Sequence, residues 1–271
     1  MTQPSASSAQ PRRIDPRVPN VARVWNYLIG GKDNFAADRE TAGRLVAAAP
    51  VMAEVAAASR AFLRRAVGYL VAEEGITQFL DVGTGLPTEK NTHEVAQSVR
   101  PDCRIVYVDN DPVVLSHARA LLTSAAQGVT SYIDADAREP GKIIAEAGQT
   151  LDFGQPVGIV LIDLLNFIPG TAEAAGIVSA LMDAAAPGSY VAIMQPACDL
   201  NPELLIAQRS WNQVAPQPVT LRTRAEVASW FDGLELVDPG LVTAPDWRPA
   251  PGDPAHDGSM PLYTAVARKP E

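Results

Sequence analysis

Cysteine is scarce in this chain. Cys103 and Cys198 are the two cysteines among 271 residues, far apart and in no ligand spacing, so neither a metal site nor the disulfide framework of a small secreted domain is expected. Long apolar runs are also missing. No stretch approaches the roughly 18 consecutive apolar residues of a membrane span, and residues 1–18 lack the apolar core of a secretory signal. Histidine is limited to His93, His117 and His256, which leaves few candidates for an imidazole base near neutral pH. Basic charge is in deficit, with 22 Lys+Arg against 31 Asp+Glu and a formal net charge of −9. Such a surface attracts nucleic acid poorly, because that affinity comes mainly from neutralised phosphates. Neither nucleic acid nor membrane is therefore expected as a partner, and the cytoplasm is the expected location.

What remains is a chain with 47% hydrophobic residues, enough to bury a core. Residues 1–18 (MTQPSASSAQPRRIDPRV) carry almost no bulky apolar side chains and are expected to form a disordered tail. Residues 19–75 read as helices. The runs 36–49 and 51–74 are rich in Ala, Leu, Glu and Arg, and Gly75 stands where a helix stop belongs. From residue 76 the texture changes. Short apolar runs at 79–82, 105–108, 129–133, 157–162 and 190–194 recur at the length of successive βα units.

Local cap signals support the helices between these runs. Asp111-Pro112 places a capping carboxylate before a proline at the first helical position. Val114, Leu115, Ala118, Leu121 and Leu122 follow on one helical face, with His117 at its edge. A helix fits 171–186, and Thr223 and Glu226 have capping-box spacing for another running to Trp230. Late strands are expected at 234–237 and 262–267, and the Pro-rich run 245–254, with His256 just beyond it, reads as a surface loop. The expected architecture is a doubly wound, mostly parallel α/β sheet over 76–271, behind an N-terminal helical extension.

The first strand runs into Asp81-Val82-Gly83-Thr84-Gly85-Leu86-Pro87-Thr88. In such sheets ligands bind beyond the carboxyl ends of the strands, where this loop lies. The second strand ends in Asp109-Asn110-Asp111, with Asp109 placed 24 residues after Gly85 and able to accept hydrogen bonds from the two ribose hydroxyls of an adenosine. Asp111 is assigned to the helix cap instead. After the third strand, Asp134-Ala135-Asp136 can reach an adenine edge. Thr88 occupies the place of the third glycine in a dinucleotide fingerprint, and Asn91 and Glu94 mark a helix start beyond it, leaving a loop too long for a diphosphate cradle. S-adenosylmethionine (SAM) carries a sulfonium and an ammonium instead of a diphosphate, and Asp81 could offset that ammonium. Both features favour SAM over NAD.

On these residues the chain resembles a bacterial family of SAM-dependent methyltransferases long classed as a domain of unknown function. The resemblance rests on VARVWNYLIGGKDNFAADRE, FLDVGTGLPTEKNTHEVAQ, VYVDNDPVVLSHARALL, YIDADAREP and PLYTAVARKP. It implies a class I methyltransferase fold with a seven-stranded sheet whose last strand is antiparallel. It also implies SAM over Gly83 and Gly85, with Asp109 and Asn110 at the ribose and Asp136 near the adenine; S-adenosylhomocysteine is the expected product. The helical segment carrying Tyr27, Gly31, Lys32 and Asn34 would close over the cofactor as a lid. Relatives often carry His where this chain has Asn166, and an amide cannot take a proton near neutral pH.

The other candidates are weaker. Gly30-Gly31-Lys32-Asp33 lacks the first Gly and the final Ser or Thr of a phosphate loop. His93, in the first turn of the helix after the glycine loop, is a candidate base; Asp163 and Asn166, after the fourth strand, are candidates for orienting an acceptor. Arg60, Arg64 and Arg65 read as a solvated face, and Trp25, Trp211, Trp230 and Trp247 as packing, with Trp25 near the lid. The expected function is methyl transfer from SAM to a small molecule. A non-catalytic SAM-binding protein and an NAD(P)-dependent oxidoreductase remain as alternatives.

Overall fold

The structure is a computed structural model that describes residues 15–87, 90–121, 126–215, 217–250, 253 and 260–271. The expected tail lies outside the described residues up to position 14. Residues 15–18 of that expected tail form a turn in which the Arg17 amide and guanidinium both donate to Asp15. His256, Leu122 and the side chains of Ala118 and Leu121 also lie outside the described residues.

Three helices come first: α1 (Val21–Leu28), α2 (Ala36–Ala48) and α3 (Met52–Ala72). The alternating part follows as β1 (Gln78–Val82), α4 (Thr92–Val99), β2 (Arg104–Asp109), α5 (Pro112–Leu121), β3 (Val129–Asp134), α6 (Pro140–Ala147), β4 (Gly158–Ile162), α7 (Thr171–Ala184) and β5 (Tyr190–Pro196). The chain closes with α8 (Pro202–Val214), α9 (Arg224–Ala228), β6 (Glu235–Leu236), β7 (Val242–Thr243) and β8 (Leu262–Arg268).

The sheet order is β3-β2-β1-β4-β5-β8-β6, with β7 also paired to β8. β1 to β5 are mutually parallel, and β8 runs antiparallel to β5, β6 and β7. This is the expected doubly wound sheet with a reversed late strand. Its seven-strand path carries the short β7 as an eighth strand, and the expected strand at 234–237 shrinks to two residues. Both short strands use β8 as their template, and two residues are too few to show any periodicity. The capping signals also act as expected: Asp111 accepts from the Val113 amide at 2.7 Å, and Thr223 and Glu226 form their capping box.

Alternate residues of each strand face opposite sides of the sheet. Phe79, Ile105 and Val160 pack with Phe62, Val67 and Leu70 of α3, while Leu80, Val106 and Ile159 pack with Ile143 of α6 and Ile177 of α7. The α3 stripe Phe62, Leu63, Ala66, Val67, Leu70 and Val71 is buried at helical spacing, so α3 is one layer of the same core as the sheet. Among the described residues no single helix is long and apolar enough to cross a membrane.

Candidate cofactor and acceptor cavity

The carboxyl ends of β1 to β5 open into one cavity of about 600 Å³, within the ordinary size of a cofactor or substrate site. The glycine loop and the ends of β2 to β4 form its floor, and α1, α2, α3 and α8 supply the rest of its walls.

The loop after β1 turns through Gly83 (φ +77°) and Gly85 (φ +66°), a left-handed region that side chains resist. A Cβ on Gly83 would also lie 2.7 Å from Leu164 Cδ1. The Gly85 amide donates to Asp109 Oδ2 at 3.0 Å, and the Asp111 amide donates to Asp109 Oδ1 at 2.9 Å. A carboxylate has about four acceptor positions, so each Asp109 oxygen retains capacity for a ligand hydroxyl. Burial raises the Asp109 pKa to about 6. Beside it, Asn110 Nδ2 donates to Asp136 Oδ2 at 3.1 Å, and Arg138 holds Asp136 from the other side. Asp111, besides capping α5, accepts from Asn20 Nδ2 at the start of α1.

Deeper in the cavity, Asp81 accepts from Thr92 Oγ1 at 2.6 Å, and burial raises its pKa to about 6. At the end of β4, Asp163 takes a left-handed φ of +56°, an uncommon conformation for a non-glycine residue that clusters at functional sites. Its Oδ2 accepts from Ser59 Oγ, its Oδ1 is buried without a partner among the described residues, and burial raises its pKa to about 7. Asn166 is 5% exposed, and its Oδ1 likewise lacks a partner among the described residues. Asp81, Gly83, Gly85, Asp109, Asn110, Asp136, Asp163 and Asn166 all line this one cavity.

Other sequence candidates stand elsewhere. His93 does not line the cavity; it is 3% exposed, its backbone amide donates to the Tyr107 hydroxyl at 2.8 Å, and its Nδ1 lies 2.9 Å from the same oxygen. Burial lowers its pKa, and its contact with Tyr107 packs α4 onto β2 outside the cavity lining. Tyr27, Gly31, Lys32 and Asn34 are also absent from the lining. Tyr27 is exposed, and Gly31 and Asn34 act through Asn26. A Cβ at position 31 would lie 2.3 Å from Asn26 Nδ2, while Asn34 Nδ2 and the Asp33 amide both donate to Asn26 Oδ1 at 3.0 Å. The GGKDN stretch therefore positions Asn26, which with Asn20, Arg23 and Trp25 forms the α1 wall.

The expected solvated arginine face is another correction. Arg65 is bound to Asp253 at 2.8 Å and to the Ala244 and Trp247 carbonyls, while Arg60 lines the cavity. Trp230 and Trp247 are core residues, but Trp211 of α8 lines the cavity as Trp25 does. The sequence reading missed α8 altogether, although Asn201-Pro202-Glu203 holds its signal: Asn201 accepts from the Glu203 amide, and Pro202 occupies the first turn. Among the described residues no group of three or more His, Cys, Asp or Glu could hold a metal ion.

Residues 7–270 match the S-adenosyl methyltransferase family, and the chain belongs to it. A DUF574 family protein from Streptomyces avermitilis is 41% identical, with a TM-score of 0.91 over 95% of this chain and 100% of its own. A candidate methyltransferase from Thermobifida fusca is 38% identical, with a TM-score of 0.87 over 98% of this chain and 100% of its own. No curated protein matches the sequence. The protein is a SAM-dependent methyltransferase, and SAM is its cofactor.

Proposed function

We propose that this methyltransferase acts on a small molecule held in the same cavity as SAM. The adenosine end lies over Gly83, Gly85, Asp109, Asn110 and Asp136, and the acceptor lies between Asp163–Asn166 and the apolar wall of Met52, Leu63, Leu204 and Trp211. The observation that carries this reading is the single cavity itself, acidic at the loop end and apolar at the other, with helices 19–75 acting as its lid. A nucleic acid would need an open groove with a basic rim.

The chain's residues fit the cofactor at three points. Gly83 leaves room that a Cβ would fill. Asp109 presents two carboxylate oxygens, one accepting from the Gly85 amide and one from the Asp111 amide, with acceptor capacity left for a ligand. Asp81 supplies a buried carboxylate for a cationic group. When bound, SAM supplies a methyl group on a sulfonium, which reacts by in-line displacement. The protein's contribution is then chiefly positioning: the α1 wall and the apolar face confine the acceptor, Asn166 orients it, and Asp163, with its pKa raised to about 7, takes a proton near neutral pH. The two cysteines are free thiols, which suits a reducing cytoplasm.

Methyl-labelled SAM incubated with the protein and a cell extract tests the reading. Label should enter a low-molecular-weight product, and Asp109→Ala should abolish it. Label confined to protein or RNA would overturn the proposed acceptor class. Calorimetry in which NAD bound, but neither SAM nor S-adenosylhomocysteine, would overturn the cofactor placement.

A further inference from the structure

Two acceptor atoms at the end of β4 have nothing to accept. Asp163 Oδ1 and Asn166 Oδ1 are both buried and without a hydrogen-bond partner among the described residues, and both residues line the cavity. An oxygen left in that state is costly, and such orphans are uncommon in a folded chain. A slack loop does not explain them. Asp163 and Asn166 stand three residues apart about the short helical turn Leu165–Phe167, and that turn is held from behind. Arg222 is fully buried and donates to the Leu165 carbonyl at 2.9 Å and to the Ile168 carbonyl at 2.5 Å. The Thr220 amide donates to the Asn166 carbonyl at 2.8 Å. With its backbone fixed at three carbonyls, the turn has little freedom to satisfy its own side chains, and the missing donors fall to a ligand.

Two acceptors call for two donors on one ligand. A neutral primary amine brings two N–H groups and keeps a lone pair for the methyl carbon. A hydroxyl or a thiol brings one donor and fills one orphan. An ionised carboxylate brings none and meets the charge of Asp163. We propose that the methyl acceptor is a neutral primary amine of the kind carried on an aromatic ring, its two N–H groups donating to Asp163 Oδ1 and Asn166 Oδ1. This rests on the small-molecule reading above and names the class of that molecule. The apolar wall of Met52, Leu63, Leu204 and Trp211 in the same cavity suits the ring. The nitrogen lone pair forms the bond to the methyl carbon, and the carbon–sulfur bond breaks with its electron pair left on sulfur. One N–H proton then passes to Asp163, which leaves an N-methylated amine and S-adenosylhomocysteine. Burial raises the Asp163 pKa to about 7, which suits that transfer. Arg60 places a positive field at Asp163, so an acidic acceptor is the competing occupant.

Aniline, phenol and benzoate carry the three head groups on one ring. Calorimetry on the full chain loaded with S-adenosylhomocysteine should show aniline binding about fivefold or more tighter than phenol, with benzoate weakest. Asp163→Leu and Asn166→Leu should each bring aniline and phenol to within about twofold of one another, and Asn166→Asp, which keeps an acceptor, should retain more of the preference than Leu does. Equal binding of aniline and phenol by the wild type, or none of either, would overturn the proposal. Tighter binding of benzoate would also overturn it and give the site to an acid. A preference kept by both Leu variants would overturn it too, by placing the amine elsewhere; their affinity for S-adenosylhomocysteine reports whether they are folded. The product gives an independent reading. With SAM labelled at its methyl carbon and an extract of cells grown on heavy nitrogen, the product methyl should show one-bond coupling to nitrogen by NMR. A small-molecule product without that coupling would overturn the amine and leave the small-molecule reading standing, whereas label confined to protein or RNA would overturn that reading first.

Discussion

Asp109 Oδ2 accepts the amide of Gly85 at 3.0 Å and so ties the end of β2 to the glycine loop after β1. One side chain both shapes the loop and presents acceptors to whatever lies over it.

Replacing Asp109 by Ala should therefore weaken S-adenosylhomocysteine binding by about tenfold or more, whereas Asn, which keeps an acceptor for Gly85, should have a smaller effect. Because burial holds Asp109 near a pKa of about 6, its acceptor capacity declines as the pH falls through that value. Calorimetry between about pH 5 and pH 8 should show wild-type affinity falling toward the acid end, and the Ala variant should keep only the smaller part that Asp81, with its pKa also raised to about 6, contributes.

Asp163 carries the same kind of shift into stability. Its pKa rises from 3.8 to about 7 because the charged form is desolvated, so the unliganded fold is penalised increasingly as pH climbs from the unfolded value to the folded one. Asp163→Asn should raise the melting temperature at about pH 8, and this advantage should shrink steadily toward about pH 4. Methyl transfer by the same variant should fall sharply. A variant that melted lower than wild type at high pH would contradict the argument.

Gly83 is required on two grounds, its φ of +77° and the 2.7 Å that would separate a Cβ at this position from Leu164 Cδ1. Gly83→Ala should cost about 1–2 kcal/mol from the backbone alone, plus the contact with Leu164. Urea titration should show Leu164→Ala recovering the contact part in the double variant while the backbone part persists.

Asp38 anchors the α1 wall. It is fully buried and accepts from Arg23 Nε at 2.7 Å, the Phe35 amide at 2.8 Å and the Asn20 amide at 2.9 Å. Breaking such a pair from one side leaves a buried charge and costs about 3–5 kcal/mol. Asp38→Ala should speed hydrogen exchange across 20–35 and weaken cofactor binding, while the β1, β2 and β4 amides stay protected. Uniform loss of protection would show that the wall does not open independently.

Much of the site was legible because its signals are local or repeat along the chain. The alternation of strand and helix places Asp81, Asp109 and Asp136 at strand ends, and strand ends in such a sheet converge. The Asp111-Pro112 and Thr223–Glu226 caps are pairs of residues in one turn of chain. The misreadings at the site concern contacts between distant segments. His93 sits in the turn where a base was sought, but its ring is held by Tyr107 on the neighbouring strand. The two-residue β6 and β7 exist because β8 offers them free edges, and no pattern within two residues can announce that.

By itself the sequence determined the doubly wound sheet, the glycine loop, the placing of the Asp109 carboxylate at a strand end and the expectation of an adenosine cofactor, because periodicity, capping and spacing are properties of short stretches of chain. Only the tertiary structure decided which side chains share the cavity. Arg60, Arg64 and Arg65 read alike in sequence, yet Arg60 turns into the cavity and Arg65 is bound to Asp253. Gly31 and Asn34, expected at the cofactor, contact Asn26 and stand outside the cavity lining. A side chain's role there depends on which segments pack against it and how far they exclude water, and both are set by contacts between residues far apart in the chain.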